Sequence, residues 1–386
     1  MDLFRNKYLA APLWIFLAVF ALDKIFFLPG VRDLFMPWNK IEPFFYQSRE
    51  NLFKQLTREY PLRRAKKEKL GLILGTSRAG EFNNADFRRN LPGLYAYNFS
   101  APFACPSYHY YWTERILRKG MKIKFALVEV DPLLFSRQAA VYSLSYSYDF
   151  RFMIRNWDAT RSAKSATDAS QAFAAPVSGF SLDEAETFLL KNLFALYRYP
   201  PNPAMMLKNL KKNKAAGATG LELRRGIEKM IRDANRGNLG GIPNPFVRVA
   251  SPEKLRKEAE KDAATRLEIS KKGSYQADRT QVYFFAALLE LLARERVVVV
   301  LYWPLASKPY RKIMRDRGIE RQLKKEIGEL VNRVRKKYPG FVIRFVDPEN
   351  DAGMNCRNFA DSFHLSGRCY PLLTDTLLRG IAERLN

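Results

Sequence analysis

Two short stretches towards opposite ends of the chain hold the side chains best suited to covalent chemistry. Gly75-Thr76-Ser77-Arg78 puts a hydroxyl on a glycine-led turn, and Asp361-Ser362-Phe363-His364 puts a carboxylate three residues before an imidazole. A serine hydroxyl is a weak nucleophile until a base takes its proton. A histidine whose Nδ1–H is held by a carboxylate presents Nε2 as that base, and a three-residue offset on a loop or single turn allows the contact. The chain has only two histidines, His109 and His364, which sharply limits any histidine-dependent mechanism. Ser77, His364 and Asp361 are therefore expected to act as nucleophile, base and orienting acid. The plainer alternative is a serine at a helix N-terminus and a capping aspartate beside a surface histidine.

The elements around these motifs favour a site. The apolar run Leu70 to Leu74 stops at Gly75 and has the pattern of a buried parallel strand. Tyr95 to Phe99, Lys124 to Val130, Val297 to Tyr302 and Phe341 to Val346 read as further strands. Helical spacing covers residues 108–119, 280–296 and 370–385, and 310–338 reads as a basic amphipathic helix or helix pair. Strands alternating with helices predict a three-layer α/β/α domain around a parallel five-stranded sheet. The serine turn then follows the first strand and the Asp–His pair follows the last, at the carboxyl ends where such sheets place ligands. The backbone N–H groups of Ser77 and Arg78 would face a developing oxyanion. Arg78 is a candidate for binding a substrate phosphate or carboxylate, with an ordinary ion pair as the alternative. His109 lies in the aromatic stretch Pro106 to Trp112, where helix-core packing outweighs a sugar-stacking role.

Composition sets the wider frame. The 386 residues are 47% hydrophobic, enough for one elaborated domain, and 65 Lys and Arg against 39 acids give a net charge of +26. Such a field attracts phospholipid headgroups, acidic glycans or nucleic acid. No P-loop, dinucleotide fingerprint or nucleic-acid module is present, so no nucleic-acid partner is expected. Cys105, Cys356 and Cys369 have no metal-type spacing, so neither a metal nor another cofactor is expected. Cys356 and Cys369 are able to pair if the compartment is oxidising.

Arg5 and Lys7 precede an apolar run from Tyr8 to Leu22 that resumes at Ile25 to Leu28 after Asp23-Lys24. Together these make about twenty residues, near the length of a bilayer span, and the basic flank favours export of the downstream chain. The expected organisation is a single-pass anchor of the cytoplasmic membrane (1–30), a connector (31–69) and an extracytoplasmic, periplasmic domain (70–386). A mostly helical insertion interrupts that domain at about 136–279, including a Ser- and Ala-rich loop at 161–179. Signal-peptide cleavage at Val19-Phe20-Ala21 and a membrane-surface or buried soluble helix interrupted at Asp23-Lys24 are the competing readings of the N-terminus.

At this point the chain resembles the SGNH (GDSL-like) hydrolase superfamily. Leu74-Gly75-Thr76-Ser77-Arg78 is similar to its nucleophile block, with Thr76 in place of the usual aspartate, and Asp361 to Gly367 is similar to its DxxH block. The resemblance covers about residues 70–150 and 280–386 and implies an SGNH/flavodoxin-like sheet. It also places the family's oxyanion donors. The second-block glycine falls near Asn98-Phe99-Ser100-Ala101, where Ser100 or Ala101 offers a backbone N–H. The third-block asparagine falls at Asp131, which cannot donate when ionised. The likeness is nearer to a divergent, membrane-anchored branch that includes the alginate O-acetylation and D-alanyl-lipoteichoic acid biosynthesis proteins. That implies an acyltransferase or esterase acting on a cell-envelope glycan or lipid-linked ester, beside a membrane-bound O-acyltransferase. The second reading is a catalytically inactive scaffold of the same fold that binds an anionic envelope polymer.

Overall fold

Five short strands, β1 (Lys69–Leu74), β2 (Leu94–Asn98), β3 (Ile123–Glu129), β4 (Val298–Tyr302) and β5 (Ile343–Val346), form one all-parallel sheet in the computed structural model of the chain, in the order β2-β1-β3-β4-β5. The structure describes residues 7–37, 40, 42–158, 179–211, 218–243, 249–266, 275 and 277–385. The strands read as unbroken apolar runs because both faces of the sheet are covered. Leu70, Leu72, Leu74, Tyr97, Val128 and Leu301 point into one layer. Ile73, Ala96, Phe125, Leu127, Val300 and Tyr302 point into the other. Strand order reverses between β1 and β3, which opens a crevice at their carboxyl ends.

Before the sheet come α1 (Lys7–Ile25), α2 (Pro29–Phe35) and α3 (Glu42–Ala65). Helices α4 (Asn84–Asn90) and α5 (Pro106–Arg118) connect β1 to β2 and β2 to β3. Between β3 and β4 lie α6 (Arg137–Tyr146), α7 (Phe150–Arg155), α8 (Leu182–Leu193), α9 (Ala195–Arg198), α10 (Pro203–Leu210), α11 (Gly220–Gly237), α12 (Pro252–Arg266) and α13 (Arg279–Arg294). After β4 come α14 (Lys308–Asp316) and α15 (Ile319–Lys337), and α16 (Tyr370–Leu378) and α17 (Ala382–Leu385) follow β5. Helices α3, α5, α13 and α15 cover the first face; α4 and α16 cover the second.

The basic segment at 310–338 is a helix pair, divided at Gly318 with φ +69, and Gly380 with φ +70 divides the last helix in the same way. The connector, which over Glu50 to Lys69 reads in sequence as a charged helix or linker, is largely helical. Its helix α3 starts at Glu42 and buries Leu52, Phe53 and Leu56 in the core, so it belongs to the domain it leads into. The expected Ser- and Ala-rich loop lies outside the described residues, apart from Gly179.

At the N-terminus, among the described residues, no single helix is long and apolar enough to cross a membrane. Ala11–Ile25 and Pro29–Phe35 satisfy length and composition together, across an 82° bend. Asp23 does more than pair with Lys24 at 2.9 Å: it accepts from the Ala195 and Leu196 N–H groups, both at 2.8 Å, and so ties α1 to α9.

Cys356 and Cys369 form a disulfide, with their Cα atoms 5.5 Å apart. The enclosed segment folds back on itself: Ala360 N–H donates to the His364 carbonyl at 2.9 Å and Ser366 N–H to the Asn358 carbonyl at 2.7 Å. Closing a loop of this length stabilises by about 3 kcal/mol, by limiting the unfolded chain. Replacing both cysteines by serine is expected to lower the unfolding free energy by about that amount in urea titration. An unchanged midpoint would mean that the hairpin holds without its bridge.

Candidate active site

The turn that carries Ser77 is shaped from below. Gly75 ends β1 so close to β3 that a Cβ there would lie 2.5 Å from Ala79 Cβ and 2.5 Å from Glu129 Oε2. Glycine is what permits that approach. The next residue is anchored by the same carboxylate: Thr76 N–H donates to Glu129 Oε2 at 2.8 Å and Thr76 Oγ1 donates to Oε1 at 2.9 Å. Gly80 N–H closes the turn on the carbonyls of Thr76 and Ser77. Ser77 is thereby left half-buried at its crest.

The hairpin clipped by the disulfide supplies the other two groups. Ser77 Oγ lies 2.8 Å from His364 Nε2, and His364 Nδ1 lies 2.7 Å from Asp361 Oδ2. The second Asp361 oxygen accepts from the N–H groups of Phe363 at 3.0 Å and His364 at 2.8 Å. Burial raises the pKa of this carboxyl, but the hydrogen bond and charge of His364, with the two backbone donors, outweigh burial and hold it at about 2. The aspartate therefore stays ionised, and the imidazole is held with Nε2 towards the serine. The three residues singled out from sequence are brought into one hydrogen-bonded line.

The residues expected on the substrate and oxyanion side are placed differently. Arg78 is not presented to substrate. It is buried and bonds Glu129 Oε1 at 2.7 Å and Asp131 Oδ2 at 3.0 Å, while its carbonyl accepts from Tyr370 Oη at 2.7 Å. Burial lowers the guanidinium pKa, yet the charges of Asp131 and Glu129 override it and raise it above the usual arginine value. Asp131 is spent on that pair and on the Leu133 N–H, at 2.8 Å. The Ser100 N–H donates to Asn98 Oδ1 at 3.0 Å and the Ala101 N–H to the Gly75 carbonyl at 3.2 Å, so neither amide is directed at the serine. Among the described residues the Ser77 amide meets no acceptor, which leaves it as the candidate oxyanion donor.

Sequence reading overlooked two carboxylates. Glu129 is fully buried, and the available signal was an acid directly after the apolar run Phe125 to Val128. Glu81 follows the nucleophile turn, and its buried Oε2 has no hydrogen-bond partner among the described residues. Burial, followed by the charge of Asp361, pushes its carboxyl up to about 8. His109, in α5, is wholly buried, and desolvation holds its ring neutral by lowering its pKa to about 3. The aromatic stretch around it is helix core, with Tyr108 and Trp112 packed on Tyr46, Phe53 and Phe99.

Fold and site together define a doubly wound, parallel α/β protein with a serine–histidine–aspartate line at the carboxyl ends of its strands. The chain belongs to the family described as "Protein of unknown function (DUF1574)", whose model matches residues 3–381. No curated protein matches it.

Two outcomes are expected from the charges around the turn. Arg78→Ala would leave Glu129 and Asp131 buried without their cation, and a loss of about 3–5 kcal/mol is expected in chemical denaturation; a loss below about 1 kcal/mol would show that the pair is dispensable. The second concerns Glu81. An acid whose folded pKa is raised binds its proton more tightly in the folded chain, so stability declines as pH rises from the unfolded value of about 4.3 to the folded value of about 8. Glu81→Gln is expected to flatten this decline in thermal melts across that window, and an unaltered slope would count against a neutral Glu81.

Proposed function

We propose that the chain is a membrane-anchored, extracytoplasmic SGNH-like acyltransferase or esterase, acting on a cell-envelope glycan or lipid-linked ester through an acyl-Ser77 intermediate. The observation that carries this reading is the continuous line from Ser77 Oγ through His364 to Asp361, at 2.8 and 2.7 Å. As Oγ attacks the ester carbonyl, Nε2 takes its proton and Asp361 stabilises the imidazolium. The ester C–O bond then breaks, and the imidazolium returns the proton to the departing alcohol. An acceptor hydroxyl, or water, next attacks acyl-Ser77 while giving its proton to His364; the bond from the acyl carbon to Ser77 Oγ then breaks, His364 returns the proton to Oγ, and the acyl group leaves on the acceptor.

The oxyanion side suits transfer better than free-standing hydrolysis. Losing one oxyanion donor costs about 10²–10³ in rate, and the Ser100 and Ala101 amides are both occupied. A bound acceptor compensates through proximity, which a diffusing water does not offer. Export is supported by the apolar N-terminal helices and by the disulfide, a bond that persists in oxidising compartments. A membrane-bound O-acyltransferase is the proposed source of acyl groups.

The alternative is a catalytically inactive scaffold of the same fold for an anionic polymer, favoured by the occupied amides and by the ion-paired Asp131. A fluorophosphonate probe separates the two. It is expected to label the wild-type chain at Ser77, to spare Ser77→Ala, and to label His364→Ala at least about 10²-fold more slowly. Equal labelling of all three chains would remove Ser77 and His364 from these roles.

A further inference from the structure

A large hollow lies between α3 and α11, with none of Ser77, Asp361 and His364 in its lining. It is a groove of about 1260 Å³ that also reaches the last turn of α5 and the start of α2. That exceeds the roughly 300–1,000 Å³ of a small-molecule pocket and suits a segment of a longer chain. Its walls are two helical stripes. On α3, Gln47, Asn51, Lys54 and Arg58 recur at intervals of four, three and four residues, which places them on one face. On α11, Glu228, Arg232 and Arg236 recur at intervals of four and face them.

The charges in this groove are not balanced internally. Its acids are largely engaged: Glu50 pairs with Arg115 at 2.7 Å, and Glu59 pairs at 2.8 Å with Arg63, which lies outside the lining. Glu228 is near Arg232, though burial and the neighbouring Asp33 raise its pKa. Among the described residues, Lys54, Arg58, Lys119 and Arg236 have no ion-pair partner, and all four are exposed.

Beneath the groove sits a fifth cation that meets no carboxylate among the described residues. Arg49 is completely buried, and among the described residues its guanidinium bonds neutral oxygens: Ser100 O at 2.6 and 2.9 Å, Gly240 O at 3.0 Å and Asn235 Oδ1 at 3.2 Å. A buried charge without a counter-charge is costly, and it projects its field through low-dielectric surroundings. Arg49 also joins the groove to the site. Asn235 lines the groove, while the Ser100 that Arg49 holds is bonded to Asn98, whose Nδ2–H donates to the Ala79 carbonyl in the turn after Ser77.

We propose that the groove between α3 and α11 binds a segment of an anionic polymer chain, a glycan carrying phosphate or carboxylate groups. Lys54, Arg58 and Lys119 from one side and Arg232 and Arg236 from the other take the anionic groups, and Asn51 and Asn235 supply neutral hydrogen bonds. This deepens the acyl-transfer reading and rests on it only for the polymer's role as substrate. Binding itself requires no activity of Ser77.

The test uses the full chain in detergent, carrying Ser77→Ala so that no turnover intervenes. Fluorescence anisotropy is read with two labelled probes, a glycerol-phosphate polymer and a polyuronate, which distinguish phosphate from carboxylate recognition. One of the two is expected to bind, more weakly as salt rises, and a Lys54→Glu/Arg232→Glu/Arg236→Glu variant to bind it about tenfold or more weakly. The same charge change on α15, Arg321→Glu/Arg333→Glu/Lys336→Glu, is expected to leave affinity within about twofold. Should the reversed variant melt early, Arg232→Gln/Arg236→Gln replaces it, with a loss in the same direction. Equal losses from the two triple variants would overturn the groove in favour of general surface charge, and no binding of either polymer would overturn it outright. Fluorophosphonate labelling of the chain with Ser77 intact is scored separately, so a failed groove and a failed serine centre give different results.

Discussion

Glu129 ends β3 in complete burial, and a carboxylate in that position is tolerable only with its charge met and its oxygens bonded. Arg78 meets the charge at 2.7 Å, Thr76 bonds through both its amide and its hydroxyl, and Tyr302 Oη stands 3.4 Å away. These contacts bolt the turn after β1 to the end of β3, across the crevice where the strand order reverses. The position of the Ser77 hydroxyl is a consequence. With Gly75 pressed against Glu129 and Thr76 held from two atoms, the next residue has little freedom. Asp131 extends the arrangement to the start of the insertion, so one buried group of charges organises the Ser77 turn, the sheet end and the segment beyond it.

Asp361 and His364 are fixed by other means. They ride on a short hairpin that carries no helix or strand of the main sheet. Its backbone hydrogen bonds, the Cys356–Cys369 bridge and a contact of Ser362 Oγ with Asp262 on α12 hold it in place. The Asp262 contact makes the insertion a support for the site as well as an addition to the fold. Within the insertion, Asp23 accepts from the first N–H groups of α9 and ties the N-terminal helix to the same body.

Much of the architecture was legible because parallel strands buried on both faces advertise themselves as unbroken apolar runs, and all five fall within two residues of their expected bounds. Gly318 and Gly380 were harder to use. Whether a glycine breaks a helix depends on packing beyond its own neighbourhood. The reach of α3 into the core was hidden because its buried side chains, Leu52, Phe53 and Leu56, are interleaved with many charges. The choice between substrate contact and ion pair at Arg78 was left open for a related reason. A charged residue beside a nucleophile looks available for substrate until its partners are known, and the partner Glu129 lies on another strand.

The sequence by itself determined the chemical inventory: one serine on a glycine-led turn, one carboxylate and imidazole at a spacing that lets them bond locally, and strands whose ends place both near the same edge. These features are local, set by offsets of a few residues and by hydrophobic period. Tertiary structure alone decided where each charge is spent. It closed the Ser77–His364 contact, engaged Arg78 and Asp131 with each other, occupied the Ser100 and Ala101 amides, and buried Arg49 against neutral oxygens. Those outcomes depend on which strand ends and helices meet in space, where a few ångströms and the loss of water decide between a free group and a bonded one.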